Sequence, residues 1–402
     1  MRYSVFFYLK IILILSIAGC STAHKPDIAT NSVNDTTISM IRLEPDKFPT
    51  FDLSDTETLK EAINRDLQYL NRLDKETQYN YGKDVYTTTQ VINSLLEFIE
   101  LIDLYSIDTE KFNLEIKKRF NVYRSVGSDG QGKTLFTGYY VPTLKGSLTK
   151  SADFPYPLYS LPNDLIQISL GAFSDKYTGQ MIVARFNDGK IVPYYTHKDI
   201  LQGALENRGL ELIWVDDKMK LFFLQVQGSG VIKLEDGSEI YVGYAGSNGH
   251  IYKSIGRYFV EKGYIKMEDI SMQSILIYLK THPDVINDAL FYNPSYVFFQ
   301  KTKDLAIGSI GVPLVNMRAI ATDHKVFPKG ALAYIQTSKP QCNEKGQIIE
   351  WNEFSRFVLN QDTGGAVKGT GHVDFFWGTG DYAEIAAGNL KHTGSLYFLI
   401  KK

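Results

Sequence analysis

Along the 402-residue chain the spacing of apolar positions changes character several times. From Ser54 onward apolar residues return every three or four positions, as at Leu59, Ile63, Leu67 and Leu70, which gathers them on one stripe of a helix. Ser54-x-x-Glu57 has the form of a capping box at the start of that helix. Further helices are predicted over residues 88–104 and 109–123. From Leu135 the texture turns to short alternating or apolar runs broken by Gly and Pro, at 135–140, 179–185, 210–215 and 221–226, which read as strands in close succession. Helical spacing returns near 250–263, 268–282 and 283–291, and strand-like runs close the chain at 330–337, 357–360, 373–377 and 395–400. No fixed-period repeat is present, which argues against a solenoid or propeller.

The first twenty residues change the picture. An apolar run through Ile17 is too short to span a bilayer and ends at Ala18-Gly19, the pattern of a signal peptide. Ile17-Ala18-Gly19-Cys20 resembles a bacterial lipobox, which implies a lipidated Cys20 anchored by acyl chains worth about 0.8 kcal/mol per buried methylene. Ser21 and Thr22 follow in place of an inner-membrane retention aspartate, implying the periplasmic face of the outer membrane. Residues 21–48 are polar and aperiodic and read as a flexible tether.

Composition excludes more than it assigns. A net charge of −2, with both signs interspersed, removes the field a nucleic-acid binder needs. The 26 Tyr and 23 Phe suit both strand packing and the apolar faces of sugars. Cys342 is the second of two cysteines, so no intrachain disulfide is expected after processing, and no metal-ligand spacing is seen.

The densest polar stretch runs from Asn360 to Asp381 and holds Asp362, Lys368, His372, Asp374 and Trp377 among glycines that permit sharp turns. Asp374 precedes Phe375-Phe376-Trp377, and a carboxyl held against aromatic walls loses hydration and stays protonated near neutral pH, as a general acid requires. Asp362 is the natural second carboxylate for glycosidic cleavage, although Asp beside Gly also serves simply as a turn residue. A second cluster, Gln225-Val-Gln227-Gly-Ser229-Gly230 with Tyr244-Ala-Gly-Ser-Asn248-Gly-His250, is placed between a strand and a helix and fits either a sugar site or ordinary loops. Its Gly-Ser-Gly lacks the glycine spacing of an esterase elbow. Asp323, before Phe327-Pro-Lys-Gly330, reads on its own as a turn residue, and His250, His324 and His372 as polar loop residues.

Taken in order, Phe136-Thr-Gly-Tyr-Tyr-Val-Pro142, Val226-Gln-Gly-Ser-Gly230, Tyr244-Ala-Gly-Ser-Asn-Gly-His250, Asn293-Pro-Ser-Tyr-Val-Phe-Phe299 and Gln361-Asp-Thr-Gly-Gly-Ala-Val-Lys-Gly369 resemble the membrane-bound lytic murein transglycosylase A family with its C-terminal three-aspartate domain. The resemblance implies a mainly β fold with flanking helices: a double-psi β-barrel and a second, inserted β-barrel-like domain, with a groove between them. The expected division is a signal peptide at 1–19, the lipidated cysteine and tether at 20–48, a helical part of the first domain at 49–139, the insert at 140–265 and the remainder of the first domain at 266–402.

It also implies a site and a reaction. The three aspartates fall on Asp323, Asp362 and Asp374, with Asp374 as the acid-base, and substrate contacts fall on Thr137, Tyr139, Gln227, Ser229, Tyr244, Asn248, Lys368 and Trp377. The implied enzyme is a peptidoglycan lytic exotransglycosylase. It cleaves the β-1,4 bond between N-acetylmuramic acid and N-acetylglucosamine, leaves a 1,6-anhydro end, and needs no cofactor or metal. The implied partners are peptidoglycan glycan strands, outer-membrane lipid and the cell-wall synthesis machinery. Two other readings stand beside it: a hydrolase using water with Asp362 or Asp381 as second carboxylate, and a non-catalytic, expansin-like wall binder.

Overall fold

The computed structural model describes residues 38–402, so the expected signal peptide, Cys20 and most of the tether lie outside the described residues. Two β-barrels carry the architecture. The first is built from Thr134–Val141, Ala319–Ala321, Leu332–Cys342, Ile348–Asp362, His372–Thr379 and His392–Lys401, and it closes because the last of these strands pairs with the first. Gly394 permits that closure: a Cβ there would stand 2.0 Å from the Gln336 carbonyl oxygen, where His392–Lys401 passes from one neighbouring strand to the other. Phe120–Ser125 and Met40–Arg42 extend the sheet along the outer edge of His392–Lys401.

Helices flank this barrel, as expected. Thr56–Leu70 buries Leu59, Ile63 and Leu70 against it, and Thr88–Tyr105 adds Val91, Leu95 and Phe98. The expected capping box at Ser54 does not form. Asp55 stands at the N-cap in a left-handed conformation, φ 53°, and its carboxylate accepts from Arg356 at 2.6 Å instead of from the helix backbone. The third predicted helix stops at Arg119, because the apolar alternation of Phe120–Ser125 is satisfied by pairing with His392–Lys401.

The second barrel begins where the strand Thr134–Val141 runs through Pro142 into Thr143–Ser147. Its six strands lie in the order Val297–Thr302, Glu239–Ser247, Ser229–Leu234, Thr143–Ser147, Glu211–Val215, Tyr156–Tyr159. A bridge between Ser160 and Phe299 joins the two ends of that sheet. Its last strand therefore lies beyond residue 265, the expected end of the insert.

The run 221–226, expected as a strand, is part of the helix Lys218–Gln227. A short apolar run cannot distinguish a buried strand from a helix buried on all sides. This helix is buried at Met219 and from Leu221 through Gln225, is capped by Asp217 at the Met219 and Lys220 amides, and ends at Gly228 with φ 82°. A hairpin of Ser229–Leu234 and Glu239–Ser247 then joins the two halves of the second polar cluster, which was expected to lie between one strand and one helix, and pairs Ser229 with Gly243 beside Tyr244. The barrels meet along an apolar seam that includes Val141, Val231, Ala319, Ala321 and Phe376, with the groove between them.

Candidate active site

Strand pairing sets the site. Ala321 lies opposite both Asp362 and Asp374, and Asp374 lies opposite Thr137, so Thr137, Asp374, Ala321 and Asp362 occupy one rung across four strands. Two strand spacings put about 10 Å between the backbones of the two aspartates, and the small Ala321 between them leaves room for the carboxyl groups to lean together.

Asp374 is half-buried: its tip can be reached, yet the surrounding protein strips most of its water. Desolvation pushes its carboxyl up to about 7, Thr137 opposes the rise by hydrogen bonding at 3.0 Å, and the negative charge of Asp362 adds to it. Asp362 is also raised by burial, but is held back by the Thr363 and Ser309 amides at 2.8 and 2.9 Å and by the charge of Lys329. The pair thus has the environments of an acid and of a charged neighbour that discourages its ionisation.

The aromatic wall differs from expectation. Alternation along His372–Thr379 turns Phe375 and Trp377 into the barrel core, where Trp377 is 3% exposed and packs on Phe375 and Phe354. Trp377 is therefore no glycan contact. On the side of Asp374 stand Phe376 and Tyr139, buried in the seam with their rings 5.1 Å apart, so they strip water from the acid from behind and do not face the groove. The buried Tyr139 hydroxyl has no partner of good geometry among the described residues; burial pushes its ionisation well above the ordinary value, and the negative charges of Asp362 and Asp374 add to the rise.

Asp323 serves the loop. Burial would raise its carboxyl, but the Gly369 and Lys325 amides bind it at 2.8 and 3.1 Å and Lys368 and His324 add positive charge, so it is held below its ordinary value. Both oxygens being engaged by backbone, Asp323 is an anchor for the segment 363–371 rather than an acid. Lys368 stands exposed on that segment.

Residues 135–300 match the MltA specific insert domain, and residues 318–400 match the 3D domain, which holds Asp323, Asp362 and Asp374. The chain is 31% identical over 288 residues, 69% of each protein, to membrane-bound lytic murein transglycosylase A of Escherichia coli K12. It belongs to the membrane-bound lytic murein transglycosylase A family. Among solved structures it resembles a membrane-bound lytic murein transglycosylase from Agrobacterium tumefaciens, with TM-score 0.73, 27% identity and coverage of 90% of this chain and 98% of that one. It likewise resembles E. coli MltA with bound chitohexaose, with TM-score 0.66, 28% identity and coverage of 90% and 93%.

Within this MltA frame the other expected contacts divide. Gln227 ends its helix by accepting the Tyr140 amide at 2.9 Å, tying the insert to the barrel strand that carries Thr137 and Tyr139. Ser229 is half-buried at the start of its strand, and Tyr244 is 55% exposed, so both can meet a ligand. Asn248 cannot. It is 1% exposed, and its amide is consumed by the Tyr195 and Pro294 carbonyls and the Tyr296 amide, at 2.9, 2.8 and 2.8 Å.

Two residues near the acid escaped the sequence reading. His372 opens a strand instead of lying in a loop, and its Nε2 is 2.8 Å from Thr137 Oγ1. Its position two residues before Asp374 places both on one face of the strand, a signal that was available. Lys329 donates to Asn360 at 3.2 Å and to the Asp362 carbonyl, and desolvation lowers its ammonium to about 8 against the pull of Asp362, Asp323 and Asp66. Nothing local in Phe327-Pro-Lys-Gly330 announces that role.

Proposed function

We propose that the chain is a lytic transglycosylase of peptidoglycan in which Asp374 is the single acid-base. The observation that carries this reading is the half-buried Asp374 carboxyl, raised to about 7 beside Asp362 and open to the groove, in a family whose named relatives are lytic murein transglycosylases. Chitohexaose bound to the E. coli relative supports a glycan as the occupant.

Protonated Asp374 gives its proton to the glycosidic oxygen of N-acetylglucosamine as the bond to the muramyl anomeric carbon breaks. The muramyl C6 hydroxyl then forms a new bond to that carbon, and its proton goes to the Asp374 carboxylate. The acid is regenerated and the product end is a 1,6-anhydro sugar. One carboxyl suffices because the nucleophile belongs to the substrate and is already held close. Asp362 keeps Asp374 protonated through like charge, Tyr139 and Phe376 strip water from it from behind, and Ser229 and Tyr244 approach the glycan from the insert.

A hydrolase employing Asp381 gains no support. Asp381 is exposed at the start of the helix Asp381–Asn389, on the order of 15 Å along the strand from Asp374. Attachment to the periplasmic face of the outer membrane through lipidated Cys20 belongs to the same proposal; the names of the relatives carry the words membrane-bound.

Mass spectrometry of peptidoglycan digested with the chain and with Asp374→Asn tests the reading. Anhydromuramyl ends absent from the variant digest are expected. Reducing ends would make the enzyme a hydrolase, and glycan binding without cleavage by either form would leave a wall binder.

A further inference from the structure

The Thr137 hydroxyl carries one proton and faces two groups, Asp374 Oδ1, which accepts at 3.0 Å, and His372 Nε2 at 2.8 Å, which accepts or donates according to its tautomer. His372 is half-buried, and the Ala366 carbonyl of the 363–371 segment acts as a hydrogen-bond partner of the same ring. With Nε2 turned to Thr137, Nδ1 is the nitrogen left to donate to that carbonyl, and a neutral imidazole whose proton sits on Nδ1 presents Nε2 as an acceptor.

We propose that His372 is a positioning residue for the acid-base step: its Nε2 takes the single Thr137 hydroxyl proton, so that Asp374 is left without its side-chain donor while it waits as an acid. This inference rests on the transglycosylase reading of Asp374. A carboxylate deprived of a donor is less stable, which favours the protonated form. When Asp374 gives its proton to the leaving oxygen, the hydroxyl turns and donates to the new carboxylate, leaving Nε2 unpaired until the muramyl proton arrives. Thr137 thereby serves whichever neighbour is the more basic at that moment, and Asp374 is kept near the midpoint that a group acting first as acid and then as base requires.

The geometry suits this exchange. His372 and Asp374 are two apart on one strand face, and Thr137 lies directly opposite Asp374 on the parallel neighbour. The other titratable groups around the trio are Tyr139 on the strand of Thr137, Asp362 across Ala321, and Lys329 behind Asp362. Of these, Asp362 acts on Asp374 through its charge, whereas His372 acts through the orientation of a proton.

Nitrogen-15 NMR of the full chain labelled at histidine reads the tautomer at neutral pH. A proton on Nδ1 of His372 is expected; a proton on Nε2 would make His372 the donor and overturn the proposal. The second arm is the pH dependence of peptidoglycan cleavage. His372→Leu frees Thr137 for Asp374, so the basic limb moves about one unit to lower pH, a rate about tenfold lower along that limb. In a Thr137→Val background the same substitution leaves the limb where it is. A limb unmoved by His372→Leu, or moved equally in both backgrounds, overturns the proposal. The NMR arm needs no turnover, so this inference can fail while the transglycosylase reading stands, and product analysis can sink that reading by itself.

Discussion

Asp374 and Asp66 make an instructive pair. Burial raises both, to about 7 and about 8, and each faces the strand Ile348–Asp362, Asp374 across Ala321 and Asp66 through Gln361. Alternation along that strand separates them: Asp362 turns to the groove with Asp374, while its neighbour Gln361 turns to the helix Thr56–Leu70 and donates to Asp66 Oδ1 at 2.7 Å. Asp66 is 0% exposed and its second oxygen has no partner among the described residues. A raised carboxyl therefore reports lost water wherever it occurs. Only Asp374, which keeps a partly open face, has the means to pass a proton to a ligand.

Substitution separates the two most strongly. Asp374→Asn should lower anhydromuramyl production by about 10²–10⁴-fold, the usual worth of a positioned general acid, with folding retained by circular dichroism. Asp66→Asn should leave turnover within a few-fold, because the amide preserves shape and neutrality. Equal losses from the two would break the comparison.

Stability against pH comes next. Asp66 is protonated when folded up to about 8 but ionises near 3.8 when exposed. Its contribution is thus fully present below the unfolded value and is lost as pH rises toward 8, at a slope approaching about 1.4 kcal/mol per unit. Urea unfolding at a series of pH values should show that decline, and Asp66→Asn should flatten it.

Asp362→Asn gives a smaller effect. Removing the neighbouring charge lowers Asp374, so the basic limb of the pH–rate profile, set near 7, should move to lower pH by up to about one unit. A profile unchanged by this substitution would remove Asp362 from the mechanism.

The smallest contrast lies in the insert. Tyr244→Ala should weaken glycan binding by about 1 kcal/mol, read as a higher KM with unchanged thermal midpoint. Asn248→Ala should do the reverse, destabilising by about 1–3 kcal/mol through three orphaned backbone partners while KM holds.

The sequence by itself determined the mainly β texture, the flanking helices and, through ordered motifs, the position of Asp374 and Asp362. Those features are local: period, turn residues and short strings of fixed spacing. The run 221–226, expected as a strand, belongs instead to the helix Lys218–Gln227, because an apolar run carries no period, although Asp217 and Gly228 marked both ends. Tertiary structure alone decided which face of each strand meets the groove. Alternation says that Asp374 and Phe376 share a face and that Phe375 and Trp377 share the other, but not which packs in the barrel core and which in the seam between the barrels. That choice is made by strands distant in sequence, Thr137 lying 237 residues from Asp374, and by a seam that closes over one side. For the same reason Trp377 and Asn248 proved to be packing and scaffold, while His372 and Lys329 acquired neighbours that no spacing along the chain specifies.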